Sequence, residues 1–514
     1  MTSLKSYRND LVTLLNGICQ VPAALNASIS GLSIDSRQVQ KGDLFLALSG
    51  CHSSSTDHIV EAIERGANAI VAEGKLFNGR VFEDGSAVEL FVDDLKHKAG
   101  VIADRFFGSP SAGISVIGVT GTNGKTSVAS YLAQYLDLSG ISSGLIGTLG
   151  YGLVSSGKIT LSETTHTTPN VVDVHRYLAE LRSQGLECVV MEVSSHGLTQ
   201  GRVDGVRFDG AIFTNLSRDH LDYHGSMQAY ASAKKMLFQT EGLRFAVINQ
   251  DDPYAEEMKS GLAADVKLYT YGIDADADVK VSNYQLSSDR GLSLSAQIIS
   301  PLGEFSIESG LMGRFNLSNL LAVISVAIAK RKTSHCAERV SQLTAVDGRM
   351  EVLRSKGQPT VVVDYAHTPD ALKNVLETLK PHCKGHLRLV FGCGGDRDIG
   401  KRAEMAKIAE ILADDILITD DNPRDEDPSN ITNEILTGFS ASSGIRVVHD
   451  RKQAIASMFK SSKENDIVLI AGKGHETWQE VKGKRTFFSD TQEVRRNMGM
   501  PYDTALKDIE IAYD

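Results

Sequence analysis

Short apolar runs alternate with helical patterns along most of the chain, and each run ends in a polar turn. In the middle of the chain, buried strands are predicted at 114–119, 187–193, 210–214 and 245–249. Later runs predict strands at 360–363, 387–391, 416–419, 445–448 and 467–470. Strands separated by helices predict mostly parallel sheets with helices on both faces. Ligands of such sheets bind at the carboxyl ends of the strands, so the polar turns are the candidate functional segments.

One turn has the features of a phosphate-binding loop. The run 114–119 leads into Gly121, Thr122, Asn123, Gly124, Lys125, Thr126 and Ser127, where a helical pattern begins. Glycines let backbone N–H groups approach phosphates, and a helix N-terminus adds partial positive charge. We expect Lys125 to reach the outer phosphates of a nucleotide and Thr126 to coordinate Mg²⁺. The general spacing places a further glycine at Val119, so the loop is a variant; a glycine-rich turn with a chance lysine is the alternative.

The length indicates several domains. At about 150 residues per domain, 514 residues predict about three. We expect an α/β protein with a smaller N-terminal α/β domain (1–97), a central P-loop ATPase-like domain with a mostly parallel sheet (98–345), and a C-terminal Rossmann-like α/β domain (346–514).

Composition and charge narrow the possible partners. Hydrophobic residues make up 42% of the chain and charged residues 23%, as in ordinary soluble proteins. The formal net charge of −11 argues against nucleic acid or an anionic membrane surface as the main partner. No apolar run approaches the ~18 residues of a membrane span. Six cysteines without C-x-x-C spacing indicate neither a zinc site nor a disulfide framework. With no apolar signal segment, we expect a cytoplasmic protein.

Two polar turns are candidates for metal binding. Mg²⁺ prefers one or two carboxylates with phosphate oxygens and water, and Glu192 ends a predicted strand; a salt bridge is the alternative role. His220 follows Asp219 in the next turn, where it either ligates the metal or pairs structurally with the aspartate. Lys234 lies in a helical pattern that by itself predicts a solvated surface lysine. An ammonium group repels Mg²⁺, so a role at the metal would require this lysine to lose or reverse its charge.

The last third of the chain contains arginines beside acidic residues. Arg397 follows Asp396, and Arg424 ends the turn that begins with Asp421, Asn422 and Pro423. Guanidinium groups are forked donors suited to a carboxylate, and the acidic groups suit an ammonium. Together they favour a pocket for a zwitterionic amino acid, with ordinary solvated ion pairs as the alternative.

Taken together, the ordered motifs resemble the Mur ligase family over essentially the full length. They lie at 121–126, 167–169, 192–197, 215–220, 313–319, 348–351, 364–367 and 472–476. The resemblance implies three domains that bind, in turn, the UDP end of the substrate, ATP, and the incoming amino acid.

The resemblance also implies the cofactors and their residues. ATP contacts are implied at 121–127 and at Asn316, Asn319, Arg349, Asp364 and His367. Mg²⁺ ligands are implied at Thr126, Glu192, His220 and Lys234, the last as a carbamate derived from CO₂. The implied catalytic residues are Lys125, Glu192, His220 and Lys234.

Substrate residues are implied in the same way. Contacts with a UDP-N-acetylmuramoyl-dipeptide are implied at Ser36, Cys51, His52, Ser53, His166, Thr167, Thr168, Ser194, Gln200 and Arg202. Contacts with diaminopimelate are implied at Arg397, Asp421, Asn422, Pro423, Arg424, Gly472 and Glu476. The turn ending in Arg424 is similar to that of the members that add meso-diaminopimelate, whose distal carboxylate needs a cation; lysine-adding members lack this arginine.

The implied activity is that of an ATP-dependent ligase. It adds meso-2,6-diaminopimelate to UDP-N-acetylmuramoyl-L-alanyl-D-glutamate through an acyl phosphate, in peptidoglycan precursor synthesis. A monomer without nucleic-acid or membrane partners is expected. Three alternatives remain: an L-lysine-adding relative, a folylpolyglutamate synthase, or, from another class, a P-loop kinase or nucleotide switch.

Overall fold

The structure is a computed structural model, and it describes residues 9–48, 55–74, 80–82, 87–164, 166–287, 293–441, 444–502 and 510–511. Three separate α/β sheet systems follow one another along the chain. The predicted α/β class, with a mostly parallel sheet at its centre, is confirmed. Within the described part of the chain, no helix combines the length and apolar character needed to cross a bilayer.

The first sheet system is small. Its strands are β1 (Asn9–Asp10), β2 (Ser28–Ile29), β3 (Gly31–Ser33), β4 (Asp43–Ala47), β5 (Ala69–Glu73), β6 (Arg80–Val81) and β7 (Val88–Val92). Its helices are α1 (Leu11–Leu14), α2 (Ser55–Glu64) and α3 (Leu95–Phe106). The main sheet has the order β3-β4-β5-β7-β6, and only β6 runs antiparallel to its neighbour. The apolar run of β4 is fully buried between β3 and β5, as is typical of an interior strand of a parallel sheet.

The second sheet system is the largest. Its strands are β8 (Ser115–Thr120), β9 (Ser143–Gly147), β10 (Gly150–Ser155), β11 (Lys158–Ser162), β12 (Cys188–Glu192), β13 (Gly210–Phe213), β14 (Phe245–Asn249), β15 (Lys267–Gly272), β16 (Val279–Ser287), β17 (Ser293–Ser300) and β18 (Gly303–Ser309). Its helices are α4 (Lys125–Leu138), α5 (Val171–Ser183), α6 (Ser195–Thr199), α7 (Leu221–His224), α8 (Met227–Lys235), α9 (Ala255–Lys259), α10 (Arg314–Ala329) and α11 (Cys336–Ser341).

All eleven strands form one sheet in the order β11-β10-β9-β12-β8-β13-β14-β15-β16-β17-β18. The seven neighbouring strands β9, β12, β8, β13, β14, β15 and β16 run parallel to one another. Antiparallel strands extend both edges of the sheet, β10 and β11 on one side and β17 and β18 on the other. One face packs on α4 and α10, and the other packs on α5 and α8. Helix α10 is apolar almost all round because it lies between α4 and the sheet. The phosphate loop follows the interior strand β8 and therefore lies at the carboxyl ends of the parallel strands, near the middle of the sheet.

The third sheet system begins with β19 (Glu351–Leu353). The further strands are β20 (Thr360–Asp364), β21 (Leu387–Phe391), β22 (Asp415–Ile418), β23 (Arg446–Val447), β24 (Ile467–Ala471), β25 (Trp478–Val481), β26 (Lys484–Phe487) and β27 (Glu510–Ile511). The helices are α12 (Pro369–Leu379), α13 (Gly400–Leu412), α14 (Pro428–Leu436), α15 (Arg451–Ser461) and α16 (Asp490–Asn497). Short 3₁₀ segments in the whole chain lie at Ala23–Leu25, Ser36–Gln38, Pro110–Ala112, Met236–Gln239 and Lys380–His382.

The main C-terminal sheet has the order β19-β20-β24-β21-β22-β23 and is parallel apart from β19. Helices α12, α13 and α14 cover one face, and α15 and α16 cover the other. The β25–β26 hairpin stands beside this sheet and joins it through a bridge between Arg424 and Val481. The hairpin thus lies against the turn that contains the predicted amino-acid pocket.

Candidate functional site

The phosphate loop joins β8 to α4 through a backbone that only glycine adopts easily. Gly124 has φ +84°, and a Cβ there would lie 2.8 Å from Asn319 Oδ1. Lys125 begins α4, and its Nζ donates to the carbonyls of Gly121 and Thr122, both at 2.9 Å. The lysine is therefore held over the loop, where its charge faces the space above the backbone N–H groups.

Lys234 lies directly beside this lysine. Its side chain is 1% exposed, its Nζ donates to the same Gly121 carbonyl at 2.8 Å, and it stands over the Tyr230 ring at 4.3 Å. Burial, and then the charge of Lys125, lower the pKa of Lys234 well below its usual value. The expectation of a solvated surface lysine from the helical pattern is wrong, because α8 turns this position inward onto the loop.

Glu192 is fully buried at the end of β12, next to the start of α4. Its carboxylate accepts from Thr126 Oγ1 at 2.9 Å, from the Thr148 N–H at 2.8 Å and from Thr148 Oγ1 at 3.1 Å. Among the described residues it forms no salt bridge, so the structural alternative considered for Glu192 does not hold. The Thr126 hydroxyl and the Glu192 carboxylate, predicted as metal ligands, are thus in direct contact.

His220 and Asp219 lie between the phosphate loop and the C-terminal domain. His220 Nε2 is 3.5 Å from Asp219 Oδ2, and burial lowers the pKa of His220 to about 3. Lys401 and His367 of the C-terminal domain approach Asp219 at 3.5 and 3.7 Å. Burial opposes ionisation of Asp219, but Lys401 and the histidines hold its pKa well below the usual value. This aspartate was not predicted as a site residue; its only sequence signal is its place beside His220.

A cavity of about 310 Å³ opens beside the loop, between the central and C-terminal domains. Seven predicted nucleotide residues line it: Asn123, Gly124, Ser127, Asn316, Asn319, Arg349 and Asp364. Residues not predicted also line it, among them Tyr131, Asn249, Asp251, Arg314, Phe315 and Asn374. Asn249 ends β14, so the rule that ligands bind at strand ends would have found it. A cavity of this size and mixed polarity fits a nucleoside.

Hydrogen bonds order the cavity wall, some within the central domain and some between the central and C-terminal domains. Asn316 Nδ2 donates to the Met312 carbonyl at 2.7 Å and Asn319 Nδ2 donates to Asn316 Oδ1 at 3.2 Å. Across the domains, Arg349 Nη2 is 3.4 Å from Thr126 Oγ1 and Asn123 Nδ2 donates to Asp370 at 3.2 Å. The arrangement brings the predicted nucleotide residues of two domains to one cavity.

Five predicted nucleotide residues are not among those that line the cavity: Gly121, Thr122, Lys125 and Thr126, which belong to the phosphate loop itself, and His367. The Nδ1 of His367 lies 2.7 Å from the Tyr365 carbonyl, and its Nε2 faces Asp219. It therefore stands at the domain contact rather than in the cavity wall.

The residues predicted for the muramoyl substrate lie in two places. Thr168 Oγ1 donates to the Glu192 carbonyl at 2.9 Å and accepts from the Ser194 N–H, also at 2.9 Å. Arg202 donates to the Thr168 carbonyl at 2.8 Å and to Gln200 Oε1 at 2.9 Å. Thr167 Oγ1 accepts from Thr148 Oγ1, and His166 is exposed next to it. This group is continuous with the buried Glu192.

The other predicted substrate residues belong to the N-terminal domain. Ser36 Oγ donates to Glu61 at 2.6 Å and lies 3.3 Å from His58 Nδ1. Cys51, His52 and Ser53 fall outside the described residues. The structure therefore places only Ser36 of this set.

The predicted amino-acid pocket is built on the turn 421–424 and the β25–β26 hairpin. Arg424 adopts a left-handed backbone with φ +54°, its N–H donates to the Glu480 carbonyl at 3.0 Å, and its Nη1 donates to the Gly395 carbonyl at 2.7 Å. Arg397 follows the same glycine turn and donates to the Asp396 carbonyl at 3.0 Å. Both arginines border one turn. Burial, and then the positive charge of Arg397, lower the pKa of Arg424.

The remaining pocket residues lie close behind the arginines. Asn422 Nδ2 donates to Glu476 Oε2 at 2.9 Å. Gly472 has φ +116°, and a Cβ there would lie 2.5 Å from Asp421 Oδ2, so a side chain at this position would displace the aspartate. Pro423 has its carbonyl against Gly395. The predicted pocket residues are therefore neighbours in the structure.

The segment that carries Arg397 adjoins the histidines of the central domain. The ring of His196 meets that of His220 edge-on at 4.9 Å. Burial lowers the pKa of His196 to about 4, assisted by His224, Arg202 and Arg397. Asp398, next to Arg397, pairs with Arg218 of the central domain at 3.1 Å, and Lys401 approaches Asp219 at 3.5 Å, so the segment that carries Arg397 lies at the contact between the two domains.

Comparison with known proteins agrees with this geometry. Three family models match the chain: Mur ligase family, catalytic domain, at 28–89; Mur ligase middle domain at 119–327; and Mur ligase, glutamate ligase domain, at 348–474. The UDP-N-acetylmuramoyl-L-alanyl-D-glutamate--2,6-diaminopimelate ligase of Coxiella burnetii is 44% identical over 91% of this chain and 95% of its own. The ligase of the same name from Ectopseudomonas mendocina is 47% identical over 91% and 94%.

A solved structure of a protein with that name is 37% identical, with a TM-score of 0.63 over 92% of this chain and 95% of the other. The matched domains and relatives define the class of this chain: it is an ATP-dependent ligase that forms an amide bond. The chain belongs to the Mur ligase family. Both the predicted family and the predicted enzyme class are confirmed.

Proposed function

We propose that this ligase joins meso-2,6-diaminopimelate to UDP-N-acetylmuramoyl-L-alanyl-D-glutamate at the expense of ATP, in peptidoglycan precursor synthesis. The observation that carries the proposal is the turn ending in Arg424, which lies with Arg397 and Glu476 in one group of residues at the contact with the central domain. Two cations and an acidic group suit a diamino acid with two carboxylates. The names of the most similar relatives support the same substrates.

The reaction needs an activated carboxyl group, because a carboxylate is a poor electrophile. The γ-phosphoryl group passes to the glutamate side-chain carboxylate, giving an acyl phosphate and ADP. The free amine then attacks the acyl carbon, and inorganic phosphate leaves as the amide forms and the amine loses a proton. Lys125 and the N–H groups of the loop stabilise charge on the transferring phosphoryl group.

The Thr126–Glu192 pair fits Mg²⁺. A hydroxyl 2.9 Å from a buried carboxylate supplies hard oxygen donors, which Mg²⁺ shares with phosphate oxygens and water. Among the described residues, no group of three or more His, Cys, Asp or Glu side chains is arranged to hold a metal ion. When bound, Mg²⁺ neutralises negative charge on the phosphates.

Lys234 is suited to carry the CO₂-derived carbamate. A buried lysine that shares one carbonyl with Lys125 places two amines side by side in a dry site, which favours a neutral amine. A neutral amine adds to CO₂ with loss of one proton and becomes an anion. The anion reverses the sign of charge beside Lys125 and would join His220 as a ligand for a second Mg²⁺.

The test is a reconstitution with purified protein. With ATP, Mg²⁺, the muramoyl dipeptide and meso-diaminopimelate, we expect equal amounts of ADP, phosphate and the muramoyl tripeptide, measured by coupled assay and mass spectrometry. Omission of the dipeptide or of the amino acid should abolish repeated turnover of ATP; without the amino acid, at most one ADP per enzyme molecule is formed with the acyl phosphate. Repeated release of ADP with no amino acid would favour a kinase or switch, and use of a folate substrate would favour folylpolyglutamate synthase.

The amino-acid preference is tested in the same assay. Arg424→Ala should raise the KM for meso-diaminopimelate at least tenfold while the KM for ATP changes less than twofold, because the guanidinium group binds the distal carboxylate. Equal turnover of L-lysine by the wild type would contradict this assignment of Arg424.

A further inference from the structure

Lys473 is a lysine that is completely buried in the wall of the amino-acid pocket. Its side chain is 0% exposed, and its Nζ donates to Asn422 Oδ1 at 3.0 Å and to Glu476 Oε2 at 2.7 Å. A buried ammonium group is costly unless its hydrogen bonds are satisfied, so these two contacts are the reason it remains at this position. Both partners are residues that the proposed function assigns to the diamino acid.

The first consequence is a fixed orientation of the Asn422 amide. Its Oδ1 accepts from Lys473 and from the Glu480 N–H at 3.0 Å, so two donors define which end is the oxygen. The amide N–H₂ must then point the opposite way, where Nδ2 donates to Glu476 Oε2 at 2.9 Å. Without Lys473, one of the two donors that prevent the amide from flipping would be lost.

The second consequence is that the two oxygens of the Glu476 carboxylate differ in their hydrogen bonds. Oε2 accepts from both Lys473 and Asn422, whereas Oε1 accepts no hydrogen bond from the described part of the chain. An acceptor that is held in place and left without a donor suits an incoming ammonium group.

We propose that Lys473 is a positioning residue of the amino-acid pocket. It holds the Asn422 amide and one oxygen of Glu476, and so presents the other oxygen to an ammonium group of the diamino acid. This inference rests on the proposed function, because it assigns Lys473 to the pocket for that substrate. Lys473 itself does not contact the substrate.

The pocket carries its own spectroscopic probe. Trp478 is the chain's one tryptophan, and its ring lies 5.3 Å from Lys473 Nζ and 4.1 Å from the Arg485 guanidinium carbon. Binding of a charged amino acid next to this ring should change its fluorescence, so the dissociation constant of the diamino acid can be measured apart from turnover.

The experiment compares wild type, Lys473→Met and Lys473→Gln. The methionine variant keeps a long, unbranched side chain but removes both hydrogen bonds, and the glutamine variant keeps a neutral donor. We expect Lys473→Met to raise the KM and the fluorescence-derived dissociation constant for meso-diaminopimelate at least tenfold, with the KM for ATP within twofold of wild type. For Lys473→Gln, both constants should fall between those of the wild type and the methionine variant. This variant also tests the inference if the methionine variant fails to fold.

The matched control is Lys460→Met, an exposed lysine of the same domain near the end of α15, which should behave as wild type. An unchanged KM for the diamino acid in a folded Lys473 variant would overturn the inference. Equal losses for all three substrates would also overturn it, because they would indicate a merely structural lysine. Failure of the wild type to use meso-diaminopimelate at all would overturn the proposed function and this inference with it.

Discussion

At the scale of single residues, His475 shows how the C-terminal domain uses buried neutral groups. Its ring is 5.2 Å from that of Tyr365, and its Nδ1 is buried with no hydrogen-bond partner among the described residues. Burial, together with the charges of Arg349, Lys473 and His367, lowers the pKa of His475 to about 3. The ring therefore stays neutral in the folded protein at every pH where the enzyme is expected to work.

This shift predicts an acid-sensitive domain. The unfolded state binds a proton below a pKa of about 6.5 and the folded state does not, so His475 opposes folding increasingly as the pH falls from 7 to 5, by roughly 2 kcal/mol. His475→Gln should therefore show a smaller loss of stability over this range, measured from urea unfolding curves at both pH values. His335→Gln, at a ring that is 67% exposed, serves as the control and should keep the wild-type difference. The same pH dependence in His475→Gln and wild type would contradict the prediction.

The secondary-structure elements show which parts of the fold the sequence reveals. Apolar runs predicted β8, β12, β13 and β14 within a few residues, and the polar turns after them form the site. Strands β16, β17 and β18, which pair antiparallel with one another, were not predicted, because one face of each is polar and their pairing depends on a sheet edge made elsewhere. The burial of Lys234 could not be deduced from α8 alone, since it results from a loop carbonyl 113 residues earlier in the chain.

Two helices of the C-terminal domain are tied by a buried ion pair. Arg451 begins α15, Asp490 begins α16, and both side chains are 0% exposed at 2.7 Å. The same guanidinium group donates to the Ala471 carbonyl at the end of β24, just before the pocket glycine Gly472. The pair therefore links the packing of two helices to the backbone of the pocket.

Breaking this pair should destabilise the domain strongly. Asp490→Asn leaves Arg451 buried without its counter-charge, and we expect a loss of about 3 kcal/mol in the free energy of unfolding, measured in urea. The control is Asp276→Asn, which breaks an exposed pair with Lys280 in which Asp276 is 92% exposed, and its urea unfolding curve should match that of the wild type. Similar losses in the two variants would argue against a structural role for the buried pair.

At the scale of the whole molecule, the central and C-terminal domains touch through polar contacts around the cleft. Arg218 of the central domain lies 3.1 Å from Asp398 and 3.3 Å from Glu404. With the approach of Lys401 to Asp219, these contacts bring the amino-acid pocket towards the phosphate loop. Polar interdomain contacts of this kind suit domains that open and close rather than a permanent core.

Weakening these contacts should favour a more open molecule. Arg218→Ala removes two partly exposed ion pairs worth up to about 1 kcal/mol each, so we expect a several-fold loss of kcat/KM and a larger radius of gyration in X-ray scattering. A non-hydrolysable ATP analogue should restore most of the compactness. Arg176→Ala, which breaks a pair within one helix at similar exposure, should change neither quantity. An unchanged radius of gyration in Arg218→Ala would contradict the role of Arg218 in closure.

The position of Lys125 has a consequence for how nucleotides of different length compete. Its ammonium group already donates to two carbonyl oxygens of its own loop, so a phosphate that takes more than the third N–H must displace bonds that were made beforehand. The net gain from the terminal phosphate is therefore a difference between two sets of partners and is smaller than the bare attraction between an amine and a phosphate. When the terminal phosphate is absent, as in ADP, Lys125 can donate to its two carbonyl partners again. Product ADP should therefore leave the cleft without leaving Lys125 short of hydrogen-bond acceptors.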